Sequence, residues 1–433
     1  MKIKLITGLI ICTVLSTKLV VASELFLMGG AIDDNNSNIY NALAKATGKI
    51  AEPNQCSDDW TKTTCPKIAI VTSAAADKAT GDDIFNNDEP DSLSYKSLYS
   101  KYGFSVKHIS AHIDNYQQTT NPNTLEGKLN KTILEQADVI FFNGGDQARH
   151  ARTWLNDDGS YNQLMQIIAT RFIHNQVIIA GSSAGTAIQS SPTYGEGASF
   201  GHLYFANSQG LANKSVRDGG VNGSGLQDMR APIDSLQNSG NGGKMSGFAF
   251  APDDVLVDTH FDARGRLARL IPALRDTHKQ IGVGVDENTA LFIKDRVGTV
   301  YGKNGVFIVD NRYANYQSSS YFAGKNFRVN YLSMGDSYNF TTLKAISNKS
   351  LIKTSRYTGY KNSNNIIGAY ETTDLLTRLV DQSSGTNFGY TKTPSYYPSN
   401  THVFKFEFTK DANTAGYYAD GRYTVIDAIV NID

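Results

Sequence analysis

Residues 177–188, Val177-Ile178-Ile179-Ala180-Gly181-Ser182-Ser183-Ala184-Gly185-Thr186-Ala187-Ile188, run an apolar stretch straight into Gly-x-Ser-x-Gly. A buried strand that turns sharply into a helix at such a motif holds its serine in a strained backbone conformation, with the hydroxyl raised above the sheet. The spacing makes Ser183, not Ser182, the candidate nucleophile, and the Ala184 amide a candidate oxyanion donor. A Gly/Ser-rich turn can match this pattern by chance, so the reading requires partners elsewhere in the chain. Val139-Ile140-Phe141-Phe142-Asn143-Gly144-Gly145-Asp146-Gln147 is another apolar run ending in a glycine pair. In an open parallel sheet this turn and the elbow share the crevice beyond the strand ends, which makes the Gly145 amide a second candidate donor. A plain strand-ending turn is the alternative. Among eight histidines, His260 stands out as a general base because it follows the apolar run 255–257 in Asp258-Thr259-His260-Phe261. Arg264, Arg266 and Arg269 come next. They form either a solvated helix face or, beside a hydrolytic serine, a set of bidentate holders for substrate carboxylates.

The elements that must carry these residues follow an α/β rhythm. Short apolar runs at Leu25–Met28, Ile68–Thr72, Val106–Ile109, Val139–Phe142, Val177–Ala180, Val255–Val257 and Gly282–Val285 are expected strands. Expected helices are Asn38–Ala46, Ser92–Lys101, Thr124–Glu135, Ala148–Leu155 and Gln163–Ile173, with Leu125, Leu129, Ile133 and Leu134 of the third facing the sheet. The fold class expected is α/β: a mostly parallel sheet flanked by helices, with a strand-to-helix nucleophile elbow and a β-rich C-terminal extension. Residues 207–247 break the rhythm with repeated Gly, Ser and Asn and read as a long surface loop, either a lid or a tolerated insertion. Residues 301–433 hold 15 of the 23 tyrosines and alternating stretches such as His402-Val403-Phe404-Lys405-Phe406-Glu407-Phe408. Tyrosine on such half-buried strands is expected to pack; lining a polymer-binding face is the alternative.

Length and composition bound the function. The chain has 433 residues, more than one compact module needs, and 40% hydrophobic against 19% charged residues gives it a sizeable core. Lys+Arg 41 against Asp+Glu 41 advertises no polyanion-binding surface, so nucleic acid is not an expected partner. Lys2 and Lys4 precede an apolar run from Leu5 to Leu15, and Val20-Val21-Ala22-Ser23 offers small residues for cleavage before Glu24. Residues 1–23 therefore read as a signal peptide, the run being shorter than the ~20 residues of a spanning helix. Its removal leaves 38 basic against 41 acidic side chains and a secreted or periplasmic protein with no stable membrane anchor. Cys12 leaves with that segment. Cys56 and Cys65 remain as an even pair suited to a disulfide, and two cysteines without nearby histidines make no metal site.

Four segments together carry a family resemblance: the Gly144-Gly145-Asp146-Gln147 turn, the Gly181–Gly185 elbow, the run 258–270, and Gly282-Val283-Gly284-Val285-Asp286-Glu287-Asn288-Thr289-Ala290-Leu291. Over residues 24–310 the chain resembles cyanophycinase, of the serine peptidase family that includes dipeptidase E, on a fold similar to class I glutamine amidotransferases. The resemblance implies release of β-aspartyl-arginine dipeptides from cyanophycin, a poly-aspartate bearing arginine on its side-chain carboxyls. It implies no cofactor or metal, Ser183 as nucleophile and His260 as base. It also implies Gln147, Asp258, Arg264, Arg266 and Arg269 as substrate-pocket residues. Thr259 stands where the family often has Gln, which leaves the exact substrate open, another aspartate-rich peptide included. The triad acid is expected at Glu196, with Glu287 as the alternative. The Gly-rich stretch and the tail at 311–433 have no counterpart in the compact members. Rival readings are an aspartyl or isoaspartyl dipeptidase acting on small peptides, and a noncatalytic binding protein; a homodimer is an open alternative to the monomer.

Overall fold

The computed structural model describes residues 23–156, 158–193, 198–204, 247–395, 397–398 and 400–433. The expected signal peptide up to residue 22, Glu196 and the Gly-rich loop to residue 246 lie outside the described residues.

Two large sheets organise the chain. The first contains five parallel strands in the order β3 (Ser105–Ile109), β2 (Lys67–Val71), β4 (Val139–Phe142), β5 (Ile178–Ser182) and β1 (Leu25–Met28). It continues antiparallel through β8 (Thr289–Lys294) and β9 (Val297–Gly302) to the short strands Ser337–Asn339 and Lys344–Ile346. The parallel strands are apolar almost throughout because both faces are covered. Phe26, Met28, Ile70 and Phe141 pack under the helices Ser37–Ala46 and Tyr95–Lys101, whereas Leu25, Leu27, Val71 and Phe142 face the opposite core.

Strands β6 (Val255–Thr259) and β7 (Ile281–Val285) leave this sheet and open the second one. They pair in parallel with each other, β7 pairs antiparallel with β10 (Gly305–Asp310), and β10 pairs with Gly324–Ser333. From there the sheet runs through Arg422–Ile432, Lys405–Thr409 and Thr386–Tyr390. Hydrogen bonding thus passes uninterrupted across residue 310. Val283, Val285, Val306 and Ile308 pack in the core shared with the first sheet. Phe307 and Val309 face the other way, into a core with Leu270 and Leu274 of the helix Leu267–Thr277 and Leu375 and Leu379 of the helix Glu371–Val380. Many of the tail's aromatics, Phe404, Phe406 and Phe408 among them, are buried in this core.

Helix Leu125–Gln136 differs from its expected orientation. Gly127, Asn130 and Leu134 face inward, whereas Leu125 and Leu129 are 71% and 58% exposed. Asn130 donates to the Thr119 carbonyl and Gly127 lies against the Asn121 carbonyl, so polar anchoring of the preceding turn sets the helix's rotation in place of its apolar spacing. Cys56 and Cys65 are joined, with sulfurs 2.12 Å apart. No helix among the described residues is long and apolar enough to cross a membrane. Leu134→Ala should cost about 2–5 kcal/mol in chemical denaturation and Leu129→Ala less than about 0.5 kcal/mol, despite their common place in the apolar pattern.

Candidate active site

Ser183 sits at the end of β5, where the strand turns into the short helix Ala184–Ala187. Its backbone, at φ 53° and ψ −113°, is a conformation that costs a non-glycine residue on the order of 1–3 kcal/mol. Close packing dictates the flanking glycines. A Cβ on Gly181 would lie 2.1 Å from the Gly185 carbonyl oxygen, and one on Gly185 would lie 2.0 Å from that of Phe142. The elbow is thereby pressed between β4 and β5. Among the described residues neither the Ala184 nor the Gly145 amide has a protein acceptor. Gly144, one residue from Gly145, packs against the Ser183 side chain.

His260 follows β6 and comes to Ser183 from the second sheet. Ser183 Oγ lies 2.7 Å from His260 Nε2, and His260 Nδ1 lies 2.7 Å from Glu287 Oε1. Glu287 follows β7, so neighbouring strands deliver histidine and carboxylate to one point. The imidazole is 7% exposed, and burial lowers its proton affinity below the ordinary histidine value. The hydrogen bond to Glu287 opposes that shift, while the positive charges of Arg264 and Arg266 reinforce it. The carboxylate at His260 is thus Glu287, the alternative of the sequence reading; Glu196 lies outside the described residues.

Known proteins match about half of this chain. It is 31% identical over 224 residues to a cyanophycinase of Geminocystis herdmanii, covering 50% of this chain and 68% of that relative. The chain belongs to the cyanophycinase family. Cyanophycinases of Synechococcus elongatus and Nostoc sp. are 32% and 30% identical over 216 and 226 residues, covering 55% and 62% of their lengths and 48% and 50% of this chain. A crystal structure of a peptidase from an acI-B1 actinobacterium overlaps 74% of this chain and 98% of its own, at 17% identity and a TM-score of 0.44. No family model matches. Membership makes the protein a hydrolase of the peptidase class.

The cyanophycinase-type arginine run has an unexpected internal support. Asp258 is fully buried and accepts from Arg269 Nε at 2.7 Å and from Arg266 at 3.3 Å, with a further bond to the Arg269 guanidinium. Arg266 also donates to the Thr259 carbonyl at 2.6 Å. Asp258 and Thr259 therefore do not present side chains to an open pocket, contrary to the substrate-binding role expected of them: 0% and 3% exposed, they lie beneath the arginines. The two guanidiniums hold the Asp258 carboxyl below its usual range against the opposing effect of burial. Arg264, Arg266 and Arg269 line a cavity of about 300 Å³ together with Ser199 and Phe200. Gln147 opens the helix Gln147–Trp154, directly after the Gly144-Gly145 turn.

A second cavity, of about 410 Å³, reaches Ser183 and His260 and extends past Tyr40, Tyr95 and Tyr99 to Asp34 and Glu89. Among the described residues no lysine or arginine lines it. Two features of the site escaped the sequence reading. Gly30, at φ 101°, lies so near the catalytic candidates that a Cβ there would meet the His260 ring at 2.4 Å and the Ser183 Cβ at 3.0 Å. Tyr95 lines the same cavity as Gly144, Ser183 and His260. The pair Gly29-Gly30 at the end of the first strand was a signal for the former, since ligands gather at strand carboxyl ends; Tyr95 offered none. Replacing Arg264 by Gln removes a positive charge that disfavours the imidazolium. The His260 titration midpoint, followed by NMR, should rise, more at low salt than at high.

Proposed function

We propose that this protein is a secreted serine exopeptidase that hydrolyses cyanophycin to β-aspartyl-arginine dipeptides through an acyl-enzyme on Ser183. The observation that carries the proposal is the unbroken relay Ser183 Oγ, His260 Nε2, His260 Nδ1, Glu287 Oε1, with 2.7 Å at each hydrogen bond. His260, kept neutral by burial, takes the Ser183 proton as the oxygen attacks the scissile carbonyl, then returns it to the leaving amine. Glu287 fixes the tautomer with its proton on Nδ1 and stabilises the imidazolium that forms. The Ala184 and Gly145 amides supply donors for the developing oxyanion, and water on the same base releases the acyl group.

The two cavities support the choice of substrate. Each cyanophycin repeat carries a free α-carboxylate and a guanidinium on its arginine. Arg266 and Arg269 pair with the single carboxylate of Asp258, and Arg264 lines the same cavity, where a guanidinium suits a substrate carboxylate. The cavity at Ser183 has the opposite character, with Asp34, Glu89 and tyrosine rings suited to a guanidinium. The relatives' printed name, cyanophycinase, agrees with this reading.

Ser183→Ala should lower dipeptide release from cyanophycin at least about 10⁴-fold, and Glu287→Gln about 10²–10⁴-fold, while Glu196→Gln stays within about threefold of the parent. Retained activity in Ser183→Ala overturns the mechanism. Cleavage of short β-aspartyl peptides with no release from the polymer overturns the substrate. The acidic limb of kcat/KM should have its midpoint below the ordinary histidine value of about 6.5, because the imidazole must be neutral and burial resists its protonation.

A further inference from the structure

Behind the relay lie two carboxyls that the proposed chemistry does not use. Asp262, two residues after His260, is 0% exposed, and Asp286, next to Glu287, is 1% exposed. One oxygen of Asp286 accepts from both the Ala263 amide, at 3.2 Å, and the Glu287 amide, at 2.8 Å. A single atom thereby ties the loop of the base to the loop of the acid. Asp262 binds in the other direction. Its carboxylate accepts from the Thr373 amide at 2.7 Å, and its carbonyl from the Tyr370 amide at 2.8 Å, at the amino end of the helix Glu371–Val380.

The same tail segment touches the catalytic loops at two further points. Gly265 lies directly against the Ile367 backbone. Asn304 donates to the Glu287 carbonyl at 2.8 Å while its amide lies 3.4 Å from the Tyr370 hydroxyl. Asp262 Oδ1 and Asp286 Oδ2 are buried with no hydrogen-bond partner among the described residues. A protonated carboxyl carries a donor of its own, and the charge of Asp262 acts against ionisation of Asp286.

We propose that the carboxyl pair Asp262 and Asp286, seated on the amino end of the helix Glu371–Val380, is the device that positions His260 and Glu287, and that the C-terminal strands thereby form part of the catalytic unit. The proposal rests on the Ser183–His260–Glu287 reading. Burial, reinforced by the charge of Asp262, pushes the Asp286 carboxyl up to about 7, and burial pushes Asp262 up to about 6. Glu287 adds negative charge to Asp286, and the Tyr331 and Tyr370 hydroxyls, both held protonated by burial and these acids, face the pair from the neighbouring strand and helix. A raised folded-state value means that the folded chain holds a proton the unfolded chain has lost. This contribution to stability weakens as pH rises from about 4 to about 7.

The test is the rate at which a fluorophosphonate acylates Ser183, which needs no assumption about substrate. Asp286→Ala should react at least about tenfold more slowly, and Asp286→Asn within about threefold of the parent, because an amide keeps the acceptor for Ala263 and Glu287. Asp286→Asn should also show a smaller fall in Tm across the pH 4 to 7 window than the parent. Thr373→Pro removes the tail's amide donor at a helical first turn, where proline is tolerated. It should slow labelling about tenfold with near-UV circular dichroism unchanged, and it stands in for Asp286→Ala should that variant fail to fold. Parent-like labelling in folded Thr373→Pro, or equal damage from Asp286→Asn and Asp286→Ala, overturns the proposal. An unlabelled parent refutes the serine reading on its own; positioning is then read from the His260 NMR midpoint, which Thr373→Pro must shift and Asp286→Asn must not.

Discussion

Three consecutive residues at the end of β1 hold the site together. The Met28 carbonyl accepts from the Ser183 amide at 3.1 Å, the Gly29 carbonyl from the His260 amide at 2.9 Å, and the Gly30 carbonyl from the Asn288 amide at 3.1 Å. Ser183, His260 and the residue after Glu287 are thus referenced to one short backbone segment. Ser183 belongs to the first sheet and His260 to the second, so this segment is where two independently built surfaces acquire a common register. It can do so only with glycine at position 30, because the histidine ring and the serine Cβ occupy the space of a side chain. Both His260, at φ 45°, and Ser183, at φ 53°, are held off the favoured backbone regions by this convergence, a cost that surrounding hydrogen bonds must offset.

The five parallel strands of the first sheet were legible nearly residue for residue, because buried parallel strands write themselves as uninterrupted apolar runs between turn signals, whereas its four antiparallel strands were not. The elbow was legible for a similar reason: the steric requirement falls on residues adjacent in the chain, as at Gly181 and Gly185. What the sequence concealed depended on partners distant along the chain. The 255–259 and 281–285 runs have the same apolar character as β4 or β5, and nothing local distinguishes membership of one sheet from the other. Glu287 could not be ranked against Glu196 from spacing, since its meeting with His260 depends on β6 and β7 lying side by side. The misread face of helix Leu125–Gln136 has the same origin, a polar anchor at Asn130 overriding an apolar pattern.

The arginine run shows what a buried partner does for long cationic side chains. The family resemblance implies Asp258 as a substrate-pocket residue, and the structure places it beneath two arginines. Buried completely, its carboxylate is tolerable only because Arg266 and Arg269 neutralise it, and in return it fixes two long side chains that would otherwise lose substantial freedom on binding. Fixing the two planar guanidiniums and burying Asp258 are therefore one arrangement seen from two sides.

The same logic bears on the length of the chain. A separately folded appendage would meet its neighbour through a modest, polar interface. Here β10 is hydrogen-bonded on one edge to β7, which leads into Asp286 and Glu287, and on the other to Gly324–Ser333 of the tail. Removing the tail would expose a full edge of β10 and the apolar side of Phe307 and Val309, and would take away the amides that satisfy Asp262. Exposure of that edge alone disfavours an independent core ending at residue 310. The strands beyond it complete the sheet from which the His260 and Glu287 loops emerge, so the surface that meets Ser183 is built on residues more than a hundred positions beyond the serine.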